Sequence, residues 1–182
     1  MHRIVAAALL LLCSPEVASA RGPSTAAERK RAIEITRKLE KEPLARSGVE
    51  ARAWLLQFIV EAPDFNVKGC SGPLDALAKN EDAPYARLLY VQSIFGMAAF
   101  MFEHPKQVAD WAAVQTAGIE STLKAYQSIL RADSDARWKE LDRLVAAKNT
   151  GKLRKLVEKE MAGCAKEGGE EDGGAMPPSD AI

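Results

Sequence analysis

Met97, Met101 and His104 stand at i, i+4 and i+7 in the stretch FGMAAFMFEHP, residues 95–105. On an ideal helix the three project within about 60° of one another. Two thioethers and an imidazole on one face form a donor set that suits copper(I). Three features of the same stretch argue for packing instead. Phe95, Phe100 and Phe102 surround the methionines, and methionine among aromatic rings is ordinary core filling. Pro105 biases His104 away from helical angles. The methionines beyond this stretch and the initiator are Met161 and Met176, too few to complete a second cluster. The stretch therefore reads as the inside of a helical bundle, and no metal or other cofactor is expected.

The other histidine is His2, so His104 carries every histidine-based expectation for the rest of the chain. A zinc site built on several histidines is excluded within one chain. A Ser-His-Asp or Cys-His nucleophile system would have to use His104, beside a proline. No G-x-S-x-G, Walker or G-x-G-x-x-G pattern occurs. The remaining chemistry is that of carboxylates, for example a pair drawn from Glu61, Asp64, Glu103, Asp110 and Glu120. Glu120 has the plainer reading of a surface ion pair with Lys124 at i+4. Gln92, Ser93, Gln115 and Thr116 interrupt apolar helices, where such residues either line a ligand pocket or, more often, hydrogen-bond between helices and fix register. Trp54, Trp111 and Trp138 fall at core spacing.

The first twenty residues, MHRIVAAALLLLCSPEVASA, join a basic residue, a ten-residue apolar run and an Ala18-Ser19-Ala20 site. That is a secretory signal peptide over residues 1–20, with cleavage before Arg21. Leu12 before Cys13 disfavours lipidation of that cysteine. Lysine plus arginine balance aspartate plus glutamate, 25 against 25, so no charge bias points to nucleic acid or to an anionic membrane. No later apolar run reaches membrane-spanning length. The protein is expected to be periplasmic or secreted. Two cysteines follow the signal peptide, Cys70 and Cys164, and in an oxidising compartment they are expected to form a disulfide. Closing a loop of about 95 residues contributes ~4–5 kcal/mol in the chain-entropy model.

Helical periodicity runs through the chain, and strand signals are absent. Thr25–Glu28 and Ser47–Glu50 have the form of capping boxes. They open helices ending at about Lys41 and before Pro63. A short helix over 73–79 and a longer one from about Ala83 to Phe102 follow, the second apolar nearly all round. A heptad-like face predicts a long helix over Lys106–Arg131. Asp133-Ser134-Asp135 signals a helix carrying Trp138, Leu141, Leu144 and Val145. A last helix carries Leu153, Leu156, Val157 and Cys164. Residues 168–182, acidic and rich in glycine and proline, are expected to be disordered.

Residues 122–138 resemble the second helix and exit turn of a tetratricopeptide repeat, with Tyr126, Leu130 and Asp133 at fitting positions. Ser134 stands where that family has proline, and no second copy lies 34 residues away, so no repeat array is implied. The expected fold is all-α, a single-domain bundle of six to seven helices over 21–167 with one disulfide. The expected function is non-catalytic: binding a protein or peptide partner, or a structural part in the cell envelope. The alternatives are a motif-less carboxylate enzyme and a small-ligand or metal carrier.

Overall fold

The computed structural model describes residues 21–67, 72–80 and 83–162. Residues 1–20, where a signal peptide is expected, and Cys70, Cys164 and residues 168–182 lie outside the described residues. Among the described residues seven α-helices occur in order: α1 Ala26–Lys41, α2 Gly48–Glu61, α3 Asp75–Lys79, α4 Ala86–Glu103, α5 Trp111–Ala132, α6 Lys139–Asn149 and α7 Leu153–Met161. A 3-10 turn at Gly72–Leu74 leads into α3, and no strand occurs among the described residues.

The helix ends follow the sequence unevenly. Thr25 and Glu28 close a reciprocal capping box at α1: the Thr25 hydroxyl accepts from the Glu28 N–H at 3.2 Å, and the Glu28 carboxylate accepts from the Thr25 N–H at 2.8 Å. The second expected box does not form. Ser47 is itself in helical angles, and the N–H groups of Gly48 and Val49 bond to the carbonyls of Ala45 and Arg46 in a preceding turn. Those backbone bonds do what the Ser47 hydroxyl would have done.

Helix α5 begins at Trp111, later than the heptad pattern predicted, because Asp110 is its N-cap and accepts from the Ala113 N–H at 3.1 Å. Val108 consequently lies in a turn and is exposed. Asp133, expected to open α6, caps the end of α5 instead and accepts from the Tyr85 hydroxyl at 3.0 Å. Helix α6 starts only after Trp138, whose N–H donates to the Tyr126 hydroxyl at 2.9 Å. Tyr126 in turn donates to Asp142 at 2.9 Å, and ties the α5–α6 hairpin together.

Helix α4 is the buried axis: Phe95, Gly96, Met97, Ala98 and Ala99 are buried in succession. It packs most closely on α5, and the contact depends on two glycines. A Cβ on Gly96 would lie 2.4 Å from Ser121 Cβ, and one on Gly118 would lie 2.7 Å from both the Ser93 carbonyl oxygen and Met97 Cγ. The apolar core has two lobes. Leu89, Ile119, Leu123, Tyr126, Leu144 and Val157 centre the larger one, and Leu39, Leu55, Phe58 and Phe95 the smaller. No helix among the described residues is long and apolar enough to cross a membrane.

Candidate functional site

A polar layer ties α1 to α4 and α5. Gln92 of α4 donates to the Ser121 hydroxyl at 2.9 Å, and Ser121 donates to the Glu40 carboxylate at 2.8 Å. Glu40 is buried, and it also meets Arg37 at 2.5 Å and Lys124 at 3.3 Å. No buried side-chain nitrogen or oxygen among the described residues lacks a hydrogen-bond partner. Gln92 thus ties α4 to α5, as its type and place predicted, whereas the Ser93 and Thr116 hydroxyls donate within their own helices, to the Tyr90 and Ala112 carbonyls.

Beside this layer is a cleft of about 380 Å³, within the size range of small-ligand sites. Two stripes of residues build it. Gly96, Phe100, Glu103 and His104 run down the end of α4 and its exit. Ala113, Thr116, Ala117, Glu120 and Lys124 run down one face of α5. The spacings i, i+4, i+7, i+8 and i, i+3, i+4, i+7, i+11 each select one helix face. Arg37, Gln107 and Arg154 complete the rim.

The cations of the rim are all engaged. Arg37 bridges Glu40 and Glu103, the latter at 2.6 Å. Burial opposes its charge, but the attraction of Glu40 and Glu103 outweighs burial and raises its pKa. Lys124 is held by Glu40, and Arg154 by Asp110 and Glu158, at 3.0 and 2.9 Å. The Ala113 N–H and then Arg154 lower the pKa of Asp110, so it stays ionised at neutral pH. Glu120 differs from all of these. It is half-buried and makes no hydrogen bond or ion pair with any described residue. The expected Glu120–Lys124 pair is replaced because Glu40, buried and reached from across the helix interface, captures the Lys124 ammonium.

The residues singled out in the sequence separate into groups. Glu103 and Glu120 share the cleft, and Asp110 reaches its rim through Arg154. Glu61 and Asp64 lie at the α1–α2 seam. There Glu61 meets Arg21 at 3.7 Å, and Asp64 accepts from the Ser24 hydroxyl and Arg29. Met97 is buried over Gly118, Met101 is half-buried, and neither lines the cleft. His104 does line it, exposed, with its ring 4.6 Å from that of Phe100. Phe95 is buried, and Phe100 and Phe102 are partly buried: Phe102 packs against Phe58 and Phe65, and Phe100 lines the cleft beside His104. Trp54 stacks on Phe58 at 5.3 Å with Arg31 over its ring at 4.0 Å, and Trp111 and Trp138 pack partly buried on the larger lobe.

Sequence reasoning missed Arg37, Phe100 and Arg154 as site residues. The signal that carries the site is the run of small and polar residues 113, 116, 117, 120 and 124 on one face of a helix whose opposite face is apolar. No protein-family model matches the chain, and neither curated proteins nor solved structures yield a match.

Proposed function

We propose that this chain is an exported, non-catalytic binding protein of the cell envelope, and that the cleft between α1, α4 and α5 receives part of a polypeptide partner. One observation carries this reading: a cleft walled by fully engaged ion pairs also holds a carboxylate, Glu120, that the fold itself does not use. A group with no internal role, held half-buried on a rigid helix, is suited to an external one. The open cleft, flanked by Gln107 and His104 on the α4–α5 turn, has the volume to receive a side chain.

Export and the disulfide belong to the same reading. Arg21, the residue expected to follow signal cleavage, is anchored by Glu28 at 2.5 Å and lies 4.7 Å over the Phe58 ring. The Gly72–Leu74 turn, which begins two residues beyond Cys70, packs against α7, which ends at Met161, three residues before Cys164. That proximity favours a Cys70–Cys164 bridge.

Intact-mass measurement of the exported protein reads both features: a chain beginning at Arg21, two hydrogens lighter than its dithiol form. A photo-cross-linking residue at Gln107 tests the cleft in the cells that produce the protein. A discrete polypeptide adduct is expected, absent with the linker at Lys148 on α6, which does not line the cleft, and absent when Ala113→Trp fills the cleft. Equal adducts at Gln107 and Lys148 would contradict the reading.

A further inference from the structure

We infer that the cleft takes the guanidinium group of an arginine side chain presented by the polypeptide partner. This inference rests on the reading of the cleft as a partner site and adds the chemistry of its ligand.

Charge complementarity is the first argument. The three cations that line the cleft, Arg37, Lys124 and Arg154, face five carboxylates among the lining residues and their direct ion-pair partners: Glu40, Glu103, Asp110, Glu158 and Glu120. Two negative charges are therefore unmatched, and Glu120 is the carboxylate without a partner. A cationic ligand neutralises it, whereas an anionic one would have to displace an existing ion pair.

The shape of the cleft selects among cations. Phe100 and His104 stand ring beside ring in its wall, inclined at 41°. A planar guanidinium stacks on such a wall and offers two parallel N–H donors to a carboxylate. An ammonium group is a point charge and does neither as well. The Thr116 hydroxyl donates to its own helix at the Ala112 carbonyl, 2.7 Å away, so its oxygen is free to accept from a further N–H donor. The groups that hold Arg37 and Lys124 out of the ligand's way come from inside the fold, through Glu40. The binding charge thus needs no rearrangement of the rim.

The test is a titration of the nitrogen-15-labelled full mature chain, followed by amide resonances. The probes are acetyl-Gly-Arg-Gly-amide, the same peptide with citrulline or lysine in place of arginine, and spermidine. The arginine peptide is expected to shift the amides of Phe100, Thr116 and Glu120. Citrulline, isosteric but neutral, should bind at least tenfold more weakly, and lysine severalfold more weakly. Glu120→Gln should erase the preference for arginine over citrulline while leaving the unliganded spectrum elsewhere unchanged. Equal binding of arginine and citrulline, shifts confined to another surface, or an unchanged preference in Glu120→Gln would overturn the inference. Spermidine binding in the cleft more tightly than the arginine peptide would overturn it in favour of a small free cation. The cross-link at Gln107 separates the two levels. An adduct that persists at full yield in Glu120→Gln retains the partner site and removes the guanidinium. Loss of specific adduct together with loss of peptide binding removes both.

Discussion

Glu40 and Glu120 are two glutamates on neighbouring helices with opposite fates. Glu40 is buried, accepts a hydrogen bond from Ser121 and neutralises Arg37 and Lys124. Removing its charge leaves Lys124 without its carboxylate and Arg37 with Glu103 alone, and breaking a fully buried pair in this way costs several kcal/mol. Arg37 and Lys124 are 34% and 42% exposed at their side chains, so solvent screens part of the loss. Glu40→Gln is expected to destabilise by about 2–4 kcal/mol in urea unfolding. Glu120→Gln removes a charge from a region already carrying excess negative charge and breaks no internal bond, so its unfolding midpoint should equal or exceed that of the wild type. A large loss of stability in Glu120→Gln would mean that the carboxylate serves the fold. Neither fate is visible in the sequence, where Glu120 and Lys124 have the spacing of a surface pair and Glu40 lies in a run of charged residues. What decides between them is a contact across three helices, to which helical periodicity is blind.

The α4–α5 pair is the element on which the cleft is built, and its close approach follows from glycine. In an isolated helix, alanine is favoured over glycine by about 1 kcal/mol. At Gly118 the sign reverses, since the new methyl would collide with the Ser93 backbone carbonyl, which cannot rotate away. Gly118→Ala is expected to lower stability by roughly 1–3 kcal/mol, as overpacking does, and to widen the α4–α5 spacing. A stabilised Gly118→Ala would show that the helices are not held at this distance. Much of this element was legible beforehand. The run from Phe95 to Ala99 marked α4 as the buried helix, and Gln115, Ile119, Thr122, Tyr126 and Ile129 marked the inner face of α5. Its start was not, because Asp110 caps it from within a stretch whose apolar spacing continued upstream to Val108. The Asp133-Ser134-Asp135 signal misled for a related reason. Asp133 accepts from the Asp135 N–H at 3.1 Å and forms a turn, and α6 begins four residues later.

At the scale of the whole molecule, acid sensitivity should come from carboxylates that fasten helix ends. Bonds from Thr25 lower the pKa of Glu28, bonds from Ser24 that of Asp64, and the Ala113 N–H that of Asp110. A carboxylate with a depressed folded-state pKa stabilises the fold above its unfolded value, here 4.5 for glutamate and 3.8 for aspartate. That stabilisation is lost as pH falls through the folded-state value. Thermal midpoints should therefore be flat from neutral pH to about 4.5 and fall below it. Asp64→Asn should shallow that fall, because Asp64 links the start of α1 to the exit of α2 through Ser24 and Arg29.

The central claim is that the cleft is occupied by a partner through a carboxylate the fold leaves unused. Carbodiimide labelling of carboxyl groups, read residue by residue by mass spectrometry, tests it most directly. In the purified protein, unpaired Glu120 should label readily, and Glu40, buried between Arg37 and Lys124, should resist. In the intact compartment where the protein resides, Glu120 should be protected severalfold, with no change at Glu34, which lies exposed on α1 away from the cleft. Equal labelling of Glu120 in the purified protein and in place would contradict the account.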